Sequence, residues 1–125
     1  MEGVKHSKIR PVHEDERRAL TEIFSGTFTA KQLKVLKIKQ DSVLGNHYHP
    51  YKQFFYMFKG FADYTFLDLE TNIKEKIKVE EGDLIIIDKK IAHKAIQKAG
   101  NIMIEGNENA YTSPEVDDLK FVIED

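Results

Sequence analysis

The chain has 125 residues, with 19 Lys and Arg against 21 Asp and Glu, five His and no Cys. That length suits a single domain, 1–125, with its own core. The balanced charge argues against a nucleic-acid partner, and no basic amphipathic segment argues for a membrane surface. Without cysteine there is no disulfide framework and no thiolate metal site, so any metal must be held by nitrogen and oxygen alone.

In chain order the sequence breaks into short alternating segments between turn residues, the pattern of an all-β protein. The opening "MEGVKHSKIR" lacks the apolar stretch of a secretion signal, and a cytoplasmic location is expected. "HEDERRAL" is polar and reads as a loop or one turn. Strands are predicted at "LTEIF", "QLKVLKIK", "QFFYMF", "ADYTFLD", "IKEKIKV", "DLIIID", "HKAIQ", "NIMIE" and "LKFVI". Breaks fall at Lys59-Gly60, Glu81-Gly82, Ala99-Gly100 and Glu105-Gly106-Asn107. In "IKEKIKV", Ile73, Ile77 and Val79 share one face and Lys74, Lys76 and Lys78 the other, so that strand is half buried with a solvated lysine face. "FFYMF" reads as core, and neither it nor "LIII" approaches the roughly 20 residues of a membrane span. About eight or nine strands at this spacing imply a small β-barrel or two-sheet jelly roll. The strands "QLKVLKI" and "LKFVI" alternate imperfectly, as if covered on both sides, and an open barrel has edges to protect; a homodimer is expected. The acidic tail "EVDDLKFVIED" reads as a final edge strand with solvated charges. His6 and His13 lie in polar terminal sequence and carry no signal for a site.

The chemistry concentrates in "GNHYHPYKQFFYMFKG", Gly45 to Gly60. In an extended strand residues two apart point to the same face, so His47 and His49 face one way. Gln53, Phe55 and Met57 continue that face as a polar entry to an apolar floor, although Pro50 interrupts the ladder. In "EGDLIIIDKKIAHKAI" a turn, a strand and a second turn lead to His93, and that path brings His93 alongside the first pair.

These residues resemble the two motifs of the cupin superfamily. His47, His49, Gln53 and Gly60 follow the first, with Gln53 in place of its Glu; Gly82 and His93 follow the second, with Asp88, Lys90 and Gln97 where Pro, Gly and Asn are usual. The resemblance implies a jelly-roll barrel. With "GNHYHPYKQ" and the opening "DERRALTEIFSG", the chain is similar to the RmlC-like sugar-nucleotide cupins, in particular dTDP-4-keto-6-deoxyglucose 3,4-ketoisomerases and WxcM-like proteins. "GNHYH" is also similar to the cupin domain of capsule-sugar reductases that act on UDP-linked sugars. Arg18, Leu44 and Pro50 stand where the ketoisomerases carry Gly, Arg and Lys.

That resemblance implies an isomerase or epimerase of dTDP- or UDP-linked 4-keto-6-deoxy sugars in surface-polysaccharide biosynthesis, needing no cofactor. His49 would be the acid–base group and His47 its partner. Gln53, Tyr51, Lys52 and His93 would bind substrate, and Lys34, Lys37 or Lys52 would meet the nucleotide. The donor to the enediolate would be Gln53, one of Tyr48, Tyr51 and Tyr56, or protonated His93. The alternative is a metal-binding cupin, a dioxygenase or small-molecule-binding module, in which His47, His49, Gln53 and His93 hold Zn, Mn, Fe or Ni.

Overall fold

The structure, a computed structural model, describes residues 1–124. The chain enters as β1 (Val4–Lys8), makes a short hairpin of β2 (His13–Glu14) and β3 (Ala19–Leu20), and continues as β4 (Gln32–Lys37), β5 (Ser42–Tyr48), β6 (Gln53–Lys59) and β7 (Phe61–Asp68). Then come β8 (Lys74–Glu80), β9 (Asp83–Ile87), β10 (Ile91–Gln97), β11 (Ile102–Asn107), a one-turn helix α1 (Pro114–Asp117) and β12 (Leu119–Lys120). One sheet has the order β1-β9-β6-β11-β4 and the other β12-β5-β10-β7-β8. From β4 to β11 every connection except the β7–β8 hairpin crosses between the sheets, which is the path of a cupin jelly roll. No helix among the described residues is long and apolar enough to cross a membrane.

Period-two alternation decides what fills the space between the sheets. Phe55 and Met57 of β6, Tyr64 and Phe66 of β7, Ile85 and Ile87 of β9 and Met103 of β11 form the buried interior. Each such side chain contributes about 1.5–3 kcal/mol on burial. The residues between them, Phe54, Tyr56 and Leu84, point out of the barrel, yet they too are buried, beneath Ile23, Phe24 and Phe28. Phe24 and Phe28 meet the Phe54 ring edge-on at centroid distances of 4.9 and 5.3 Å. This explains "FFYMF": both faces of that strand are covered.

Three predicted elements take a different form. "LTEIF" is not a strand beyond Leu20: β1 already occupies the sheet edge nearby, and Ile23 and Phe24 bury themselves as a loop laid on the sheet. "LKFVI" pairs only at Leu119 and Lys120, opposite Tyr48 and His47, before the ladder breaks. The charges of the acidic tail are not all solvated. Asp117 is only 2% exposed, because α1 folds it beneath the barrel mouth, where Tyr51 and two backbone N–H groups donate to it. Asp125, the end of that tail, lies outside the described residues. "HEDERRAL" forms the β2–β3 hairpin, and the polar "VKHSK" is a strand, β1, that sequence reading missed.

Candidate active site

A β-bulge in β5 builds the site. Along the β5–β10 ladder Leu44 faces Ala95 and Gly45 faces Lys94, but His47, not Asn46, faces His93. Asn46 is therefore an extra residue, held at φ 57° next to Gly45 at φ 96°. In an unbulged ladder His93 would face Asn46 and His47 would turn to the outer surface, since a one-residue slip flips a strand's faces. Asn46 is then free to serve the C-terminal segment: its carbonyl accepts from Phe121 N–H at 2.9 Å and its Oδ1 from Ile123 N–H at 2.9 Å.

His49 lies one residue beyond the strand, yet its ring joins the same cluster. The His47 ring is 4.7 Å from those of His49 and His93, which are 5.4 Å apart, and one nitrogen from each of the three can be chosen so that all lie within 4.8 Å of one another. They line a cavity of about 240 Å³ with Gln53, Phe55, Tyr64, Gln97, Lys34, Glu105 and Asp118. Three buried polar atoms of the residues that line it, His49 Nε2, His93 Nδ1 and Gln53 Oε1, have no hydrogen-bond partner among the described residues. Each buried group left unsatisfied costs about 1–3 kcal/mol, so a water, an ion or a ligand is expected to meet them.

The histidines are held neutral. Burial, reinforced by His49, lowers His47 to about 4; burial, reinforced by His47 and His49, lowers His93 well below the ordinary value of 6.5. Burial also lowers His49, against the opposing pull of its hydrogen bond to the Asp117 carbonyl and of the Asp118 carboxylate. A protonated His93 donor is therefore not what this cavity offers. Burial pushes the Glu105 carboxyl up, and Lys34, 3.8 Å away, pulls it down.

A stability consequence follows. The unfolded chain takes up protons near pH 6.5 that the folded histidines refuse, so stability is fully present above that pH. It falls as the pH drops, by at most about 1.4 kcal/mol per unit per histidine, down to about 4 for His47. Urea midpoints are expected to fall between pH 7 and 5, and His93→Leu to flatten that fall while raising the midpoint.

The other expected contacts divide sharply. Gln53 lines the cavity as anticipated. Tyr51 does not: it stacks on the back of His49, with ring planes 9° apart, and donates its hydroxyl to Asp117 at 2.8 Å. Lys52 lies outside, 3.6 Å from Asp88. Tyr48 packs near Leu67, Ala92 and Ile123, and Tyr56 packs on the outer face, so neither supplies a donor to the cavity. The tyrosine that lines it is Tyr64, whose hydroxyl donates to Met103 Sδ and accepts from Gln97 Nε2. Of the three candidate lysines, Lys34 lines the cavity and Lys37 does not. Glu105 and Asp118 were missed. Glu105 sits beside a predicted turn, but its alternation with Met103 could have placed it indoors; no sequence signal marks Asp118.

A family profile described as a cupin domain matches residues 34–102. No curated protein matches the chain significantly. Among solved structures, a TDP-quinovose 3,4-ketoisomerase from Campylobacter jejuni superposes with a TM-score of 0.82 at 17% identity, covering 96% of this chain and 95% of its own. A sugar 3,4-ketoisomerase from Thermoanaerobacterium thermosaccharolyticum in complex with TDP gives 0.76 at 16% identity, covering 90% and 85%. A 3'-monoepimerase from Streptomyces bikiniensis in complex with dTDP-quinovose gives 0.80 at 14% identity, covering 93% and 68%. At these identities the likeness establishes the fold alone. The profile, however, spans more than half of the residues and includes every histidine of the cavity, and the chain belongs to the cupin family.

Proposed function

We propose that this cupin, a single domain over 1–125, isomerises or epimerises a nucleotide-linked 4-keto-6-deoxy sugar by acid–base enolisation. The observation that carries the reading is one small cavity lined by His47, His49, His93, Gln53 and Lys34, in which His49 Nε2, His93 Nδ1 and Gln53 Oε1 are buried with no hydrogen-bond partner among the described residues. At about 240 Å³ the cavity is below the roughly 300–1,000 Å³ of pockets that engulf a whole drug-sized ligand, so it suits a sugar ring whose nucleotide lies outside. The fold neighbours that bind TDP or dTDP-quinovose support that class of substrate.

Moving a carbonyl from C4 to C3 removes the proton on C3 and returns one to C4. His49 donates its Nδ1–H to the Asp117 carbonyl, which leaves Nε2 as a lone pair able to take the C3 proton. The electrons form the C3–C4 double bond, and the C4 oxygen becomes an enediolate. Lys34, placed by Glu105, and the Gln53 amide line the cavity and are assigned to donate to that oxygen. The proton on the His49 imidazolium then passes to C4, the C3 hydroxyl gives its proton to the C4 oxygen, and the carbonyl appears at C3 beside a C4 hydroxyl. His47 stays neutral beside it, its ring 4.7 Å from that of His49.

A second reading has its own observation, the three histidine nitrogens within 4.8 Å of one another. These atoms fit a divalent cation. Gln53 offers only a neutral amide oxygen in place of a carboxylate, so His47, His49, His93 and Gln53 would hold Zn, Mn, Fe or Ni more weakly than a Glu-bearing set. When bound, such a cation would polarise an oxygen of its ligand.

Incubation in D₂O with dTDP-4-keto-6-deoxyglucose and other dTDP- and UDP-4-keto-6-deoxyhexoses, followed by NMR, tests the first reading. Loss of the C3 proton signal with formation of a 3-keto or inverted product is expected; no exchange with any member contradicts it.

We place the protein in the cytoplasm, in the supply of surface-polysaccharide sugars, on the family resemblance. We also propose that it is a homodimer. On the outer face of the first sheet Leu33, Val35 and Phe58 are 69%, 62% and 54% exposed, a patch with no cover in one chain. Light scattering is expected to give a dimer at micromolar concentration and a monomer for Val35→Asp; a monomeric parent protein contradicts it.

A further inference from the structure

The C-terminal turn is tied to His49 by more bonds than chain closure requires. His49 Nδ1 lies 2.7 Å from the Asp117 carbonyl oxygen. A carbonyl only accepts, so in neutral His49 the proton sits on Nδ1 and the lone pair on Nε2. The carbonyl is held by its own side chain: Asp117 Oδ1 accepts from Tyr51 Oη at 2.8 Å, and Oδ2 accepts from Thr112 and Ser113 N–H at 2.7 and 2.8 Å. Tyr51 in turn lies flat against the far face of the His49 ring. Ring, tyrosine and turn thus form one closed unit in which a single buried carboxylate meets three donors.

We propose that Asp117 is a positioning residue that fixes the His49 tautomer: it clamps the turn so that its carbonyl selects Nδ1–H and presents bare Nε2 to the cavity. This rests on the reading of His49 as the base and deepens it. Burial alone would push the Asp117 carboxyl up, but the bonds from Ser113, Tyr51 and Thr112 outweigh it and hold it below the usual carboxylate range, so the clamp is an anion at neutral pH. Asn in its place keeps the shape but offers a single acceptor oxygen, and its amide N–H groups face donors rather than acceptors.

Long-range ¹H–¹⁵N correlation spectra of the ¹⁵N-histidine-labelled full chain test this directly, with the His49 signals assigned by their loss in His49→Asn. The parent protein is expected to show protonated Nδ1 and bare Nε2. Asp117→Asn is expected to move His49 toward Nε2–H and to lower kcat for sugar-ring deuterium exchange about 10- to 100-fold with KM little changed. Tyr51→Phe, which removes one of the three bonds, should shift the tautomer less and serves if Asp117→Asn does not fold. Nε2–H in the parent protein overturns the inference, as does a fall in kcat for a folded variant with the tautomer unmoved. If the tautomer behaves as expected but no keto-sugar exchanges in the parent protein, the clamp stands and the keto-sugar reading fails.

Discussion

His49→Asn is expected to lower solvent deuterium incorporation into the sugar ring by about 10²–10⁴-fold while leaving nucleotide-sugar binding nearly intact. An acid–base group acts where the proton is in flight and contributes little to ground-state affinity, so kcat falls and the dissociation constant does not. The substitution is mild for the fold, because the Asn amide can still donate toward the Asp117 carbonyl that His49 Nδ1 now meets at 2.7 Å. Isothermal titration with the nucleotide sugar, set beside the NMR exchange rate, separates the two effects. Equal losses in binding and exchange would instead assign His49 to holding the ligand.

Gly45→Ala is expected to cause the largest structural damage of any single methyl addition near the site. Its Cβ would lie 2.5 Å from the His93 carbonyl oxygen and 3.0 Å from Lys94 Cα, both backbone atoms, at a φ of 96° that side chains disfavour. Such backbone strain alone costs roughly 1–3 kcal/mol. Gly100→Ala is the natural control, with a φ of 91° and nothing within 4 Å of the added carbon. Gly45→Ala should therefore lower the melting temperature well beyond Gly100→Ala. Deuterium exchange should fall at least about tenfold even where the variant remains folded, because the bulge that turns His47 toward His93 is disturbed. Equal melting temperatures for the two variants would show that the bulge relaxes freely.

Much of this architecture is legible in local sequence. Period-two alternation in "IKEKIKV" and the short apolar runs "QFFYMF" and "DLIIID" mark strands whose partners need not be known, and the two-residue spacing of His47 and His49 signals a shared direction. What is not legible depends on contacts far apart in the chain. β1 is polar and becomes a strand only because β9 offers its edge. Ile23 and Phe24 have strand composition, but the outer face of β6 gives them better burial than a ladder does. The bulge at Asn46 leaves no mark beyond a Gly-Asn pair that reads equally well as a turn. Asp117 looks like one more solvated acid in "EVDDL" until the tail crosses back to Tyr51, 66 residues away. Gln53 could be assigned to the cavity because it shares a face with Phe55 and Met57; Lys52, one residue earlier, points the other way, to Asp88.

Proton transfer by the histidine cluster without a metal is tested most directly by measuring metal content and exchange in one sample. Protein purified without added metal is analysed for bound Zn, Mn, Fe and Ni, then incubated in D₂O with the keto-sugar panel, with and without EDTA. Exchange that is undiminished in EDTA, at far less than one metal per chain, is the expected result. Exchange that EDTA abolishes and added metal restores in proportion, or one bound metal per chain with no exchange into any sugar, would contradict it.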